Sequence, residues 1–575
     1  MSLLQRILPA TAWMRTYERG NLRADMSAGL TTAVMLIPQG MAYAMLAGLP
    51  PIIGLYASTV PIILYALFGS SRELAVGPVA MVSLLVATAL TPLAAAGSAE
   101  YVGLAVALAL LVGVIQLGMG LVRAGFLVNF LSHPVVSGFT SAAALIIGLS
   151  QLKHLLGVEI PRSHHIHTII IAAFEKLGDI QPHTVLIGAV SIAALVILKK
   201  RAPKLPRALI VVAGTTVAVW AFGLADKGVA IVGDVPAGLP TPALPSFESG
   251  TLTALLPTAV IISLVGFMES VSVAKAFASK KRYEIEPNGE LVGLGLANLG
   301  AAVFSGYPVT GGFSRTAVNA QAGARTPMAG IVTAVVVMGT LLFLTDLFYY
   351  LPKAVLASVI MTAVFGLIDV AEVKHLWKVD RADMGLLLLT LAGTLSLGIE
   401  AGIGLGVGAS LLWFIVQTTR PHAAVLGRLP GTAAYRNIER HPEAEQFAGI
   451  LILRIDAGFY FGNVTFLKDL VRDSLATQAG PVHTVILDAS SINRLDSSAN
   501  GAVGEMARSL KETGVQLLLA GVKGPVMDAL KKAGIYDDVA GEHPHLSVHD
   551  AVEGIMASPP DGGGKQRESV LRNVS

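Results

Sequence analysis

The sequence predicts an α-helical polytopic membrane domain followed by a smaller cytoplasmic α/β domain. Hydrophobic residues make up 53% of the 575 residues and charged residues only 14%, and the mean hydropathy is +0.67. A membrane-spanning helix needs about 20 apolar residues, and roughly fourteen such runs lie between residues 26 and 417. Beyond residue 421, short apolar runs alternate with amphipathic stretches, which is typical of an α/β fold.

The apolar runs predict about fourteen spans in a transport domain over residues 25–420, arranged as two repeats over about 25–224 and 251–420. The spans are residues 25–45, 50–69, 78–96, 101–122, 134–153, 182–200, 207–224, 251–279, 287–305, 312–323, 327–348, 352–368, 383–398 and 400–419.

Basic residues predict the orientation of these spans. Residues 1–24 carry four arginines and no cleavage site of a signal peptide, so we expect them to be a cytoplasmic segment. Alternate loops then hold most of the basic residues, which follows the positive-inside rule and predicts cytoplasmic amino and carboxyl termini. We expect the plasma (inner) membrane as the location. The predicted inside positions are Arg72, Arg123, Lys199, Lys200, Arg201, Lys204, Arg207, Lys280, Lys281, Arg282, Arg325, Lys374, Lys378 and Arg381.

Two predicted spans are interrupted near their starts. The third opens with Val76–Ser83 and the tenth, which is third in the second repeat, opens with Val309–Thr316. A helix over 312–323 would cover only about 18 Å of a core about 30 Å thick. Interrupted segments at matching positions of two halves are typical of inverted repeats with a central binding site.

The second interrupted segment places an arginine inside the predicted membrane domain. Two half-helices that meet at their amino-terminal ends would direct unpaired N–H groups at an anion. Arg315 would add a full charge and a planar fork that suits oxyanions, and Ser314 and Thr316 would add hydroxyl donors. The alternative is that glycine and proline merely kink the helix while Arg315 snorkels toward the interface.

Glu269 lies well inside the predicted eighth span. A carboxyl group at that depth needs a partner or a proton. We hypothesise that a proton on Glu269 releases Arg315 from an ion pair, so that anion uptake is coupled to proton entry. The alternative is a structural salt bridge of Glu269 with Arg315 or Lys275.

The first span carries two polar residues four positions apart, Gln39 and Tyr43, which therefore share one helix face. This face would either line the anion cavity or hold neighbouring helices together.

Three motifs resemble the sulfate permease (SulP) family. They are Leu36–Ala44 (LIPQGMAYA), Ala75–Ala80 (AVGPVA) and Gly311–Asn319 (GGFSRTAVN), and the resemblance extends from about residue 20 to about 555. Arg315 together with Glu269 is most similar to the plant-type sulfate/proton symporter branch.

This resemblance implies a fold, a mechanism and a set of site residues. The fold is a fourteen-span inverted repeat like that of uracil permeases, with a core domain that moves against a gate domain (an elevator) in a homodimer. The implied anion-binding residues are Gln39, Tyr43, Val79, Ala80, Ser314 and Arg315, and Glu269 is implied to carry the proton. The coupling ion would be H⁺, whereas bicarbonate members of the family use Na⁺.

The carboxyl-terminal region predicts a soluble domain over 447–557, preceded by a linker and the start of the domain at 421–446. Buried strands are expected at 447–455, 482–488 and 515–521, with helices from Asn463, Ser497 and Pro525. The region resembles a STAS domain, in which a phosphorylatable serine lies in the motif Asp-Ser-Ser-Gly. Here the motif reads DSSA from Asp496, so either Ser497 or Ser498 caps a helix or Ser498 is a regulatory phosphosite.

Other features point away from catalysis. No nucleophile triad, phosphate loop or zinc-hydrolase motif is present, so we expect no enzyme activity, no cofactor and no nucleic-acid partner. A histidine-rich segment, Ser163–His167, is read as a solvated loop and not as a metal site, and residues 558–575 as a disordered tail. The absence of cysteine excludes disulfides and thiolate metal sites.

The predicted function is secondary active uptake of an inorganic anion, with sulfate or a related oxyanion, the lipid bilayer and soluble partners of the STAS domain as binding partners. The anion stays open between sulfate, a dicarboxylate and bicarbonate, because helix ends and one arginine accept all three. The alternatives are a sodium-coupled bicarbonate transporter, an anion exchanger or channel, and a membrane scaffold that signals through its STAS domain.

Overall fold

The computed structural model describes residues 8–126, 132–160, 166–202, 205–242, 249–540 and 544–557. Residues 163–165 of the histidine-rich segment and the tail from 558 lie outside the described residues. The chain divides into two compact units, Met1–Ser410 and Leu411–Ser575.

The first half of the membrane unit is helical with one short strand, β1 (Val76–Gly77), between α4 and α5. Its helices are α1 (Ala10–Arg15), α2 (Arg19–Ala47), α3 (Pro51–Tyr56), α4 (Val60–Phe68), α5 (Ala80–Leu90), α6 (Ala99–Leu121), α7 (His133–Ser150), α8 (Leu152–Leu156), α9 (Ile166–Glu175), α10 (Pro182–Arg201) and α11 (Arg207–Ala221).

The second half is also helical and also contains one short strand, β2 (Thr310–Gly311), ahead of a short helix. Its helices are α12 (Ser249–Lys281), α13 (Pro287–Val303), α14 (Phe313–Gln321), α15 (Met328–Phe343), α16 (Lys353–Val364), α17 (Val370–Val379), α18 (Arg381–Leu397) and α19 (Ile399–Thr419).

Local sequence explains several helix ends. Proline occupies the first helical position of α3, α10 and α13, where its missing N–H costs no hydrogen bond. Helix α2 ends at Gly48, whose φ of 87° suits glycine at the end of a helix.

The predicted fold class, a helical membrane domain followed by an α/β domain, is confirmed. Each predicted span contains a helix, and eight helices among the described residues are long and apolar enough to cross a bilayer. The count of fourteen crossings and the 7+7 repeat stay predictions. Helix α17 was not predicted, because its residues were assigned to a loop; Asp369 caps it by accepting the N–H of Glu372.

The two interrupted segments lie together. Strands β1 and β2 pair in antiparallel fashion, with Val76 opposite Gly311 and Gly77 opposite Thr310. Helix α5 begins at Ala80 and α14 at Phe313, each a few residues after its strand. The pairing therefore brings the amino-terminal ends of two half-helices close to each other.

Side chains and carbonyls of neighbouring helices form hydrogen bonds with the non-helical segment around β2. Asn298 accepts the N–H of Val309 at 2.8 Å and donates to its carbonyl at 3.0 Å, as a paired strand would. The Ser270 hydroxyl accepts the N–H of Gly311 at 2.9 Å, and Thr310 Oγ1 donates to the Gly266 carbonyl at 2.7 Å. These bonds matter because an unpaired polar group in an apolar interior costs several kcal/mol.

Two buried carboxylates, Asp25 and Glu290, connect separate elements through hydrogen bonds. Neither was among the residues predicted from the sequence. Asp25 accepts the N–H of Thr326 at 3.1 Å and its hydroxyl at 2.6 Å, which ties α2 to the start of α15. Glu290 accepts the Tyr65 hydroxyl at 2.7 Å and both the N–H and the hydroxyl of Ser70, at 2.8 and 2.7 Å. Both carboxylates are fully buried and have their acceptors occupied.

The second unit contains a five-stranded sheet in the order β4-β3-β5-β6-β7. Strands β5, β6 and β7 are parallel and agree with the predicted strands, whereas β3 runs antiparallel to β5 and β4 antiparallel to β3. The strands are β3 (Ala423–Arg428), β4 (Tyr435–Asn437), β5 (Ile450–Ile455), β6 (Thr484–Asp488) and β7 (Gln516–Ala520). The helices are α20 (Val464–Ala476), α21 (Ser497–Glu512), α22 (Gly524–Lys532), α23 (Tyr536–Ala540) and α24 (Val548–Ala557).

The expected cap of α21 is wrong. Ser497 and Ser498 are the first two helical residues, and the cap is Asp496, whose carboxylate accepts the N–H of Ala499 at 2.8 Å. The same side chain accepts the N–H of Phe461 at 2.9 Å. A carboxylate that caps also interacts favourably with the positive end of the helix, an advantage that a serine lacks.

This cap predicts an acid-sensitive helix start. Burial raises the pKa of Asp496, but backbone N–H groups of Ala499, Phe461 and Ser498 outweigh this and hold the pKa below its usual value. A depressed folded-state pKa stabilises the fold above the unfolded pKa of about 3.9, and that stabilisation is lost as pH falls through the folded pKa. Hydrogen exchange of α21 peptides, corrected for intrinsic rates, should therefore lose protection as the pH falls below about 4. Asp496→Asn keeps a capping oxygen without the titration, so an equal loss in this variant would contradict the prediction.

Candidate anion-binding site

Arg315 lies in the first turn of α14 and is 1% exposed. Its Nη1 donates to the carbonyl oxygen of Pro78, between β1 and α5, at 2.5 Å. Its Nε and Nη2 are buried and have no hydrogen-bond partner among the described residues. The side chain therefore does not snorkel, and it holds two adjacent donors ready for an acceptor.

Two glycines border the guanidinium, one where the space is too small for a side chain and one where the backbone conformation favours glycine. A methyl group on Gly312 would lie 2.9 Å from Nη2 and 3.0 Å from Cζ of Arg315. Gly77 has a φ of 151°, where other residues are rare, and a Cβ there would lie 3.6 Å from Nη2. The glycines of both interrupted segments thus permit the backbone to approach the arginine closely.

The half-helices present uncapped amino-terminal ends. The residues that precede them, Val79 and Gly312, form no side-chain cap. The first N–H groups of a helix lack intrahelical acceptors and carry partial positive charge. Helix α14 has nine residues, shorter than the span predicted over 312–323, so an even larger part of this segment is non-helical.

The structure places most of the predicted site residues in the interior. Gln39, Tyr43, Val79 and Ala80 are between 4% and 7% exposed, and Oε1 of Gln39 has no partner among the described residues. Tyr43 lies within electrostatic range of Arg315. Ser314 differs from the others because it is exposed.

Glu269 lies on α12, within electrostatic range of Arg315. Its Oε2 is buried without a hydrogen-bond partner among the described residues, and no ion pair within 4.0 Å joins it to Arg315 or to the exposed Lys275. The direct pair assumed in the coupling hypothesis and in its structural alternative is therefore not formed in this structure.

Two further residues modify the predicted site. Thr316 does not offer a free hydroxyl, because its Oγ1 donates to the Gly312 carbonyl at 2.8 Å and accepts the N–H of Ala75 at 3.1 Å. Tyr307, which sequence reasoning did not assign a role, is fully buried with its hydroxyl 3.0 Å from Ser83 Oγ, and it interacts electrostatically with Arg315. Its position directly before Pro308, where the helical pattern is interrupted, is the sequence feature that could have indicated a role.

Comparisons with known proteins agree with this architecture. Residues 22–390 match the sulfate permease family. The chain belongs to the sulfate permease family. Residues 441–551 match the STAS domain, so the carboxyl-terminal unit of this sulfate permease family member is a STAS domain.

The relatives are similar over nearly the whole chain. Sulfate transporter 4.1, chloroplastic, of Arabidopsis thaliana is 42% identical over 570 residues, which cover 96% of this chain and 82% of the relative. High affinity sulfate transporter 2 of Stylosanthes hamata is 36% identical over 573 residues, covering 96% and 86%. The solved structure of SLC26A9 matches with a TM-score of 0.90 at 26% identity, covering 96% of this chain and 93% of that one.

The close approach of Gly312 to Arg315 gives a test of the site. In Gly312→Ala the added methyl group must displace the guanidinium, because it would lie 2.9 Å from Nη2. We expect sulfate affinity, measured by calorimetry, to fall about tenfold or more, a loss of about 1.4 kcal/mol. Gly339→Ala in α15 is the matched control, because nothing lies within 4 Å of its added methyl group. Unchanged affinity in Gly312→Ala would contradict the site.

Proposed function

We propose that this protein is a secondary active transporter that takes up sulfate in symport with protons. The observation that carries the proposal is the buried Arg315 guanidinium, with two unpartnered donors, next to the uncapped starts of α5 and α14. A buried cation with unused donors at two helix amino termini favours an oxyanion ligand.

Sulfate suits this geometry because it is a small tetrahedral dianion. Two of its oxygens can accept from Nε and Nη2 of Arg315, which form one edge of the planar fork. The remaining oxygens can accept N–H groups from the first turns of the half-helices. The names of the plant relatives, which are sulfate transporters, favour sulfate over bicarbonate or a dicarboxylate.

Glu269 is our candidate for proton coupling. A carboxylate there lowers the affinity of the same pocket for a dianion by repulsion, whereas a protonated Glu269 does not. A proton on Glu269 and a sulfate beside Arg315 therefore favour each other's binding. This form of the hypothesis needs only electrostatic range between the two side chains and no direct ion pair.

We propose alternating access of the elevator type, in which a core carrying α5 and α14 moves against a gate within each protomer of a homodimer. The two half-helices that form the site are held by one strand pair, which suits movement as a unit. The distribution of basic loops supports cytoplasmic termini. The plasma (inner) membrane is our proposed location.

Ser498 is the candidate regulatory residue of the STAS domain. It is exposed at the second position of α21, where a kinase could reach it. A phosphate there would meet the positive helix end but also the neighbouring Asp496 carboxylate, so phosphorylation would change the charge and shape of this surface.

The direct test of the function is uptake into proteoliposomes. Labelled sulfate and labelled bicarbonate are offered with an imposed proton gradient, an imposed sodium gradient or neither. We expect sulfate accumulation only with the proton gradient. Bicarbonate accumulation driven by sodium would favour the other branch of the family, and equal flux without any gradient would favour an exchanger or channel.

Glu269→Gln tests the coupling role. Glutamine mimics the protonated carboxyl group, so the variant should still bind and exchange sulfate while uptake no longer follows the pH gradient. Initial uptake rates at several gradients are compared with those of the parent and of Glu100→Gln, which removes an exposed carboxylate. If uptake by Glu269→Gln follows the gradient as in the parent, Glu269 does not carry the proton.

A further inference from the structure

A second group of charged residues lies around Glu73, in the arm that leads to β1 (the β1 arm, residues 69–75). The Glu73 side chain is fully buried. Lys281, at the end of α12, places its Nζ 2.9 Å from Oε1, and the hydroxyl of Tyr283 donates to Oε2. The carboxylate therefore binds the β1 arm to the end of the helix that carries Glu269.

The backbone around Glu73 is bound to the other half-helix. The Glu73 carbonyl accepts from Nδ2 of Asn319 at 2.9 Å, and the N–H of Ala75 donates to Thr316 Oγ1 at 3.1 Å. Both partners are on α14, the helix of Arg315. Lys281 Nζ also donates to the Ala324 carbonyl, just beyond α14, at 2.7 Å.

These contacts converge on three elements of the candidate site. The β1 arm leads to Pro78, whose carbonyl holds Arg315; α14 carries Arg315; and α12 carries Glu269. Glu73 is itself part of the β1 arm. Its carbonyl accepts from Asn319 on α14, and its carboxylate pairs with Lys281 at the end of α12. None of its contacts involves the anion-facing atoms themselves.

The ion pair with Lys281 compensates the buried charge of Glu73. Oε1 has no aligned hydrogen bond of its own, so the ammonium group is its principal partner. The nearby Arg72 stacks over the Tyr283 ring, with Cζ 4.7 Å from the ring centroid, and forms no ion pair with Glu73. Lys281 is 38% exposed, but the carboxylate is fully buried, so removing the ammonium group leaves a buried charge uncompensated and the arm would be expected to move.

We propose that Glu73 is a positioning residue for the anion site: it fixes the β1 arm, α14 and the end of α12 in one arrangement. The inference rests on the proposed function, since the reaction that it supports is sulfate uptake. A shift of the arm changes the position of the Pro78 carbonyl and so the direction of the Arg315 donors. The KM for sulfate should therefore respond more than the amount of folded protein.

The first test is a double-mutant cycle in proteoliposomes with Glu73→Gln, Lys281→Met and the double variant. We expect each single change to raise the KM for sulfate roughly three- to tenfold, the range typical of residues that act through others. The double variant should be no worse than the single ones, because both remove the same link. Additive effects, or a lower melting temperature with an unchanged KM, would overturn the proposal.

Matched controls separate the link from a change in surface charge. Lys280→Met removes the neighbouring lysine, whose Nζ lies over the Phe277 ring, and Glu284→Gln removes an exposed carboxylate nearby. Both should leave the KM for sulfate unchanged. A KM increase in Lys280→Met equal to that in Lys281→Met would show a general charge effect and overturn the proposal.

A second measurement does not depend on the identity of the anion. The chain has no cysteine, so Arg72→Cys and Gln321→Cys would be the only cysteines that a spin label can modify. These two exposed positions lie on the β1 arm and at the end of α14. Pulsed EPR should give one narrow distance distribution, which Glu73→Gln broadens. An unchanged distribution would overturn the positioning role. Broadening in a protein that does not transport sulfate would instead contradict only the proposed function.

Discussion

The structure depends on one constraint: a guanidinium is buried in an apolar membrane unit. Arg315 is 1% exposed, and within the described part of the chain only one of its nitrogens donates to a protein acceptor, the carbonyl of Pro78. That carbonyl is available because the chain between β1 and α5 is not helical. The broken helices, the paired strands and the glycines at 77 and 312 can all be understood as conditions for placing one charged side chain at this depth.

Breaking two helices creates a second set of unpaired groups, and the fold satisfies them selectively. Around β2, the Asn298 amide takes both backbone groups of Val309, and Ser270 takes the N–H of Gly311. The first turns of α5 and α14, in contrast, have no side-chain cap. The difference is functional in our interpretation, because groups that support the break are satisfied while groups that face the site are left for a ligand.

Sequence reasoning was accurate where the signal is local. Apolar runs located the helices, and the matching interruptions at 76–83 and 309–316 indicated that two half-helices would meet, as β1 and β2 do. It failed where the outcome depends on competition among neighbours. Thr316 gives its hydroxyl to the backbone, Asp496 caps α21 in place of the adjacent serines, and β3 and β4 were not among the predicted strands.

The sequence pattern does not indicate which residues far apart in the chain form ion pairs. Glu73 and Lys281 are more than two hundred positions apart, and neither stands in a motif that requires the other. Glu73 reads as a loop residue and Lys281 as one of three basic residues that indicate a cytoplasmic loop. Only the fold shows that the ammonium group of Lys281 also compensates the buried carboxylate of Glu73.

The buried polar groups of the membrane unit fall into two classes, those with hydrogen-bond partners and those without a partner among the described residues. Asp25 and Glu290 are fully buried, and donors from other elements occupy their oxygens. Buried polar groups in proteins almost always have partners, so those without partners need an explanation. Among the described residues, unpartnered buried atoms occur on scattered hydroxyls and on Glu73, whose Oε1 has the Lys281 ammonium group beside it. They also occur on Arg315 and Glu269, which interact with each other electrostatically, and on the amide oxygen of Gln39, one turn from Tyr43. In our interpretation, a cation, an acid and an amide that each keep an unpartnered atom suit a pocket that takes up an anion and a proton.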